Sequence, residues 1–198
     1  MRKLLIARHG EPEISGVLLG QADPGLSENG LRQAAELAET WRSLPIERLV
    51  SSKLRRARET AMVVGRALGL DVELDVRLNE ITYGSWDGRA WADIEAADPV
   101  TARRKIEDWW SATPDGGETG EAFYARVEEV WHSLRSRPER VIATVTHTAV
   151  NAVLLDLARR YGGLAGDRAG DSSAAPDWRG IQTFTQEPGS FRSIEVDF

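Results

Sequence analysis

Leu4-Leu5-Ile6-Ala7-Arg8-His9-Gly10-Glu11 decides how the rest of the chain is read. Four apolar residues of strand character stop at an arginine and a histidine, and the glycine that follows lets backbone approach a ligand closely. In an open α/β sheet, ligands bind beyond the carboxyl ends of the strands, and that is where Arg8 and His9 would sit. Taken alone, the stretch reads more readily as a polar loop after an edge strand. The remaining sequence has to decide between the two.

A second strand-to-loop transition repeats the pattern near the C-terminal third. Val141–Val145 is apolar and β-branched except at Ala143 and Thr144, as expected of a strand buried on both faces. It ends at Thr146-His147-Thr148, and a helix follows with Val150, Val153, Leu154, Leu157 and Tyr161 on its apolar side. Of only three histidines, His9 and His147 thus occupy equivalent places, while His132 lies beside an apolar helical stripe and reads as structural or exposed. A third short strand, Arg48–Val50, runs into Ser51-Ser52 and a helix from about Leu54 with Ala57, Ala61, Val64 and Leu68 on one face. Arg55, Arg56 and Arg58 fall in the first turn of that helix, where the dipole disfavours cations unless an anion is near. Periodicity does not say which of the three points inward.

Between these landmarks, Glu11–Gly25 reads as a glycine- and proline-rich loop, and Ser27 as the N-cap of a helix with Leu31, Ala34, Ala35, Ala38 and Trp41 on its apolar face. Asp71–Arg77 is expected to be a short strand. Glu80 follows between Leu78 and Ile81, and a carboxylate in partly apolar surroundings has its pKa raised, as a general acid requires. The stretch 86–120 holds four of the seven tryptophans, Trp86, Trp91, Trp109 and Trp110, and two short helical segments split at Asp98-Pro99. It reads as an insertion covering the site, its tryptophans forming a small core. Thr119 caps a helix carrying Phe123, Val127, Val130, Trp131 and Leu134. Gly162–Gly180 reads as a mobile loop, and Ile181–Gln186 with Phe191–Val196 as a hairpin on the sheet edge.

Composition narrows the chemistry. At 198 residues the chain fits one domain, 1–198, with 86–120 as a lid-like insertion. It has no cysteine, which removes disulfides, thiolate metal sites and cysteine nucleophiles. A net charge of −6 argues against a general nucleic-acid binder, since such binding neutralises many phosphates with a basic face. The apolar runs are too short for a membrane span, and behind Arg2 and Lys3 only Leu4 to Ala7 is apolar, too little for a secretory signal; a cytoplasmic location is expected. Alternating strand and helix patterns predict a parallel sheet. Arg8, His9, an arginine after Ser52 and His147 would then share one rim. Two histidines with two arginines make an anion site rather than a metal site, matched to phosphate or carboxylate by the forked guanidinium donors. A histidine held there can attack phosphorus, with Glu80 giving and later taking a proton.

Five blocks in order resemble the histidine phosphatase superfamily, also called phosphoglycerate mutase-like: Leu5–Glu11, Ser51–Ala61, Leu78–Gly88, Gly116–Thr119 and Val145–His147. The resemblance implies an α/β fold, a three-layer α/β/α sandwich whose mostly parallel central sheet has an antiparallel edge, with a helical insertion over the active site. It further implies His9 as the phosphorylated residue, Arg8, Arg56 and His147 as phosphate ligands, and Glu80 as the acid. Ser15, Gln21 and Thr148 join the expected substrate-binding set, with no metal and no cofactor. The partner implied is a small-molecule phosphate ester, neither nucleic acid nor membrane, and a homodimer is compatible. The chain departs from the family at Pro12 and Ser15, where Thr and Asn are common, and at Thr148-Ala149, where two glycines are usual. Its length is nearer to compact phosphatases such as those acting on α-ribazole phosphate than to the mutases. Hydrolysis is therefore favoured; mutase-type phosphoryl transfer and phosphate-ester binding without turnover are the alternatives.

Overall fold

The computed structural model describes residues 2–161, 175–183 and 185–196. Strand β1 (Arg2–Arg8) is followed by the two-residue β2 (Val17–Leu18), helix α1 (Glu28–Trp41), β3 (Arg48–Ser51), α2 (Arg55–Leu68) and β4 (Val72–Leu74). A 3₁₀ turn at Val76–Leu78 leads on to β5 (Arg89–Ala90), α3 (Trp91–Ala97), α4 (Pro99–Glu107), α5 (Gly120–Arg135), β6 (Val141–Thr146), α6 (Thr148–Tyr161), α7 (Trp178–Thr183) and β7 (Phe191–Val196).

The main sheet has the order β4-β3-β6-β1-β7, with β7 antiparallel to β1 and every other pairing parallel. Side chains alternate across a strand, so β1 serves both faces. Leu4 and Ile6 pack with Val50, Ile142, α5 and α6 on one side. Leu5 and Ala7 pack with Leu49, Ala143, Val145, α1 and α2 on the other. The result is the three-layer α/β/α sandwich with an antiparallel edge strand.

Several local expectations shift. On α1 the buried residues are Gly30, Ala34, Leu37, Ala38 and Trp41, whereas Leu31 and Ala35 face solvent, because the helix is turned to bury Leu37 against α2. Ser27 caps it as expected, its Oγ accepting from the Gly30 N–H at 3.0 Å. The expected strand at Asp71–Arg77 shortens to β4, and the loop Glu11–Gly25 contains β2, which pairs with β5 and ties 86–120 to the rim of the sheet. The tryptophans of 86–120 do not form a core of their own: Trp86 and Trp110 are buried in the same cluster as Ile6 and Ile142.

The expected hairpin is overturned at its first half. Residues 178–183 form α7 rather than a strand, because Asp177 Oδ1 accepts from the Gly180 N–H and the Trp178 ring packs 5.1 Å from Trp110 and 5.6 Å from Tyr124. Only Phe191–Val196 is a strand, and it pairs with β1. Of the expected loop 162–180, residues 162–174 lie outside the described residues, and 178–180 open α7. No described helix is long and apolar enough to cross a membrane.

Candidate active site

Parallel pairing brings three strand ends to one rim. Arg8 is in register with Thr146, and Ser51 with Val145, so His9, Ser52 and His147 leave the sheet side by side. The turn after β1 is fixed by backbone contacts: His9 N–H donates to Thr146 O at 3.0 Å and Gly10 N–H to Thr60 Oγ1 at 3.0 Å. Gly10 crosses the start of α1 so closely that a Cβ there would lie 2.4 Å from Gly30 O. Glycine is required at that crossing for space rather than for an unusual φ.

His9 and His147 are both buried, with ring centroids 5.1 Å apart. His9 Nδ1 lies 2.6 Å from Gly10 O, and a carbonyl only accepts, so the proton is on Nδ1 and the Nε2 lone pair is left bare. Burial, then the charge of Arg56, pushes the His9 pKa down to about 3. His147 is also held well below its ordinary value, by burial first and Arg56 next. Its Nε2 is 2.9 Å from Ser52 Oγ, and its buried Nδ1 has no hydrogen-bond partner.

The arginines are positioned by backbone carbonyls. Arg56, on the first turn of α2, donates Nη1 to Ala22 O (2.7 Å) and Nη2 to Gly20 O (2.9 Å). Arg55 instead pairs with Glu59 at the surface, and Arg58 is half-buried on the outer side of α2. Arg8 donates Nη1 to Gln186 O at 2.6 Å. Buried Nε groups of both Arg8 and Arg56 are left without an acceptor, and desolvation lowers both pKa values. Two cations and unused N–H donors around neutral imidazoles make a pocket for an anion.

Glu80 closes the pocket. Its Oε1 accepts from the Ile81 N–H at 3.0 Å and its Oε2 faces the Ala149 N–H at 3.5 Å. One side of the residue borders the cavity, so it is only half-buried by area, but protein crowds the carboxyl elsewhere and burial raises its pKa against the opposing pull of Arg56 and Arg126. A cavity of about 140 Å³ is lined by Arg8, His9, Arg56, Glu80, Tyr83 and Thr148, together with residues 17–20.

The expected residues therefore do not all meet. Arg8, His9, Arg56, Glu80 and Thr148 border one cavity, and His147 packs against His9 just behind it. Gln21 stands beside the cavity, donating Nε2 to Glu80 O. Ser15 is solvent-exposed in the loop before β2 and does not line it. A larger surface groove of about 790 Å³ lies on the far side of α2 beside β4, away from both histidines. Among the described residues no group of three or more His, Asp or Glu side chains could hold a metal ion.

Sequence reasoning passed over the residues that orient these groups. Ser52 holds His147, Thr60 holds the Gly10 backbone and donates to Arg56 O, and Asn151 with Gln186 backs Arg8. Arg126 is the most connected: it donates to the carbonyls of Arg77, Asn79 and Glu80 and makes a two-pronged pair with Glu118. Ser52 and Glu118 stand inside motif blocks and were within reach; for the others no local pattern marks the role.

The chain is 41% identical over 128 residues to a bifunctional protein of Mycobacterium tuberculosis; the match takes in 63% of this chain and spans 35% of that protein's length. It is 32% identical over 156 residues to an adenosylcobalamin/α-ribazole phosphatase of Salmonella typhimurium, covering 77% of each. The crystal structure of an α-ribazole phosphatase from Shigella flexneri superposes with a TM-score of 0.83 at 27% identity, over 98% of this chain and 91% of the other. The family model for the histidine phosphatase superfamily, branch 1, matches residues 4–169, and the chain belongs to that superfamily.

Proposed function

We propose that this chain is a phosphoric monoester hydrolase that acts on small-molecule phosphate esters through a phosphohistidine at His9. The observation that carries the reading is the pairing of a bare His9 Nε2 with a carboxyl of raised pKa across one small cationic cavity. A neutral imidazole is a nucleophile and an imidazolium is not, so the depressed His9 pKa keeps it competent at neutral pH.

In the first step Nε2 attacks phosphorus while the bond from phosphorus to the ester oxygen breaks. Protonated Glu80 gives its proton to that oxygen, and the alcohol departs. The Arg8 and Arg56 guanidiniums hold the phosphoryl oxygens, where spreading charge is stabilised by donors fixed in advance. In the second step water attacks the phosphohistidine and passes its proton to the Glu80 carboxylate. The bond from nitrogen to phosphorus breaks, and its electron pair returns to Nε2. The segment 86–120 covers this chemistry, joined to the loop before α1 by the pairing of β2 with β5.

The test is phosphate release from an aryl phosphate in the presence of a chelator, with alkaline-detergent quench to trap protein-bound phosphate. Activity with an acid-labile, base-stable phosphoprotein is expected in wild type, and neither in His9→Ala. Glu80→Gln should cut turnover of alkyl esters by about 10²–10⁴. Undiminished turnover in His9→Ala would remove the phosphohistidine, and isomerised rather than free phosphate from phosphoglycerate would make the chain a mutase.

A further inference from the structure

Glu80 divides two spaces. On one side is the cationic cavity with Arg8, His9 and Arg56. On the other is a chamber of about 360 Å³, bordered by Tyr83, Trp109, Trp110, Ala149, Ile181 and Gln182, which shares Glu80, Tyr83 and Thr148 with the first. If phosphorus sits over His9 and the proton donor is Glu80, the ester oxygen lies at the partition and the alcohol behind it falls in the chamber.

The walls of the chamber define what fits. Three of the six side chains named are aromatic and two are aliphatic. Glu80 is its acid, and no arginine or lysine is among the described residues that line it. A carboxylate or second phosphate on the alcohol would be desolvated there without a counter-charge, which is costly. A planar apolar ring would meet ring faces and edges at no such cost.

The principal wall is also fixed in advance. The Trp109 ring stacks on Trp91 (centroids 6.3 Å, 27°) and meets Tyr83 edge-on at 5.8 Å. Lys105, itself buried, places Nζ 5.0 Å from the Trp109 ring centre and donates to its carbonyl. A surface held this way needs little ordering when a ligand arrives. Gln182, exposed on α7, lines the chamber and accepts from the Trp109 N–H at 3.4 Å.

We propose that this chamber is the leaving-group subsite and that it selects uncharged alcohols with a flat aromatic face over alcohols bearing a carboxylate or phosphate. The proposal rests on the phosphatase reading above and adds the substrate class to it. Trp109 is its main specificity-determining residue.

Three primary alkyl phosphates test it: 2-naphthylmethyl phosphate, ethyl phosphate and 3-phosphoglycerate, compared by kcat/KM for phosphate release. The naphthylmethyl ester is expected to exceed ethyl phosphate by about tenfold or more, and 3-phosphoglycerate to fall below it. In Trp109→Ala the naphthylmethyl-to-ethyl ratio should drop about tenfold, mainly through KM. Gln182→Lys, at an exposed position that folding tolerates, should raise the ratio of 3-phosphoglycerate to the naphthylmethyl ester several-fold. A wild type that prefers 3-phosphoglycerate, or a ratio unmoved in both variants, overturns the proposal. Failure to release phosphate from any of the three overturns the hydrolase reading instead. Calorimetry then decides the chamber: 2-naphthylmethyl phosphate must bind tighter than inorganic phosphate with the difference lost in Trp109→Ala, and equal affinities reject it.

Discussion

Binding of a phosphate monoester dianion to this protein should take up one proton, and the reason lies in a single hydroxyl. Ser52 Oγ has three neighbours: the Leu54 N–H at 3.1 Å, Asn79 Oδ1 at 2.9 Å and His147 Nε2 at 2.9 Å. Asn79 Oδ1 also accepts from the Lys53 N–H at 3.0 Å, which identifies that atom as the amide oxygen. The serine has one proton, and it goes to Asn79. The third contact is therefore satisfied only if His147 Nε2 donates, so the neutral imidazole carries its proton there and presents a bare lone pair at Nδ1. A phosphate oxygen arriving at Nδ1 would meet lone pair with lone pair unless a proton is supplied.

Above a pH of about 6, the second ionisation of phosphate esters, neither partner holds that proton beforehand, because burial keeps His147 neutral. Uptake on binding makes affinity fall as pH rises, by about tenfold or about 1.4 kcal/mol per pH unit. Titration calorimetry at about pH 8 with an aryl difluoromethylphosphonate, a non-hydrolysable monoester mimic that is fully ionised there, whereas inorganic phosphate would bring a proton of its own, in buffers of different ionisation enthalpy, reads the count directly; about one proton is expected. Glu80→Gln should retain the uptake, which separates His147 from the neighbouring carboxyl. Ser52→Ala frees the imidazole to carry its proton on Nδ1, so the uptake should fall towards zero. That variant also leaves the Leu54 N–H without its acceptor and His147 Nε2 without its hydroxyl partner, a loss of about 1–3 kcal/mol in stability. A wild-type count of zero, with a dissociation constant flat over that pH range, would refute the tautomer assignment.

Two further outcomes follow from buried charge. Arg126→Met removes three carbonyl contacts and leaves the largely buried Glu118 unpaired, so urea unfolding should show a loss of about 3–5 kcal/mol, with slower turnover as the 77–80 segment loosens; a loss below about 1 kcal/mol would mean the clamp is dispensable. In acid, the unfolded chain protonates its histidines near 6.5 while folded His9 waits until about 3. A lowered folded pKa gives stability that is complete above about 6.5 and drains as pH falls towards about 3, at about 1.4 kcal/mol per pH unit for His9 and in the same direction for His147. His9→Gln should make stability-against-pH curves measurably shallower in that window, and an unchanged slope would show that other groups set the acid limit.

What could be read from the chain, and what could not, divides by range. His9 and His147 were visible because each ends an apolar strand, a feature of ten consecutive residues, and parallel pairing in register then makes them neighbours. Arg56 differed from Arg55 and Arg58 only by which way α2 faces, and three adjacent arginines carry no period from which to judge it. The helix at 178–183 was misread because Ile181, Thr183 and Thr185 favour strands, while the Asp177 cap and the Trp178 contacts with Trp110 and Tyr124 outweigh that preference. Ser52, Asn79, Asn151 and Gln186 are ordinary polar residues whose meaning appears only when strand ends from distant parts of the chain converge. They supply what the motif residues lack. A histidine at a strand end is merely buried and neutral; with Gly10 O on one ring and Ser52 Oγ on the other, His9 keeps a lone pair free at Nε2 and His147 at Nδ1. In the proposed mechanism one lone pair suits attack on phosphorus and the other suits a proton shared with phosphate, which would give one residue type two roles by opposite tautomers.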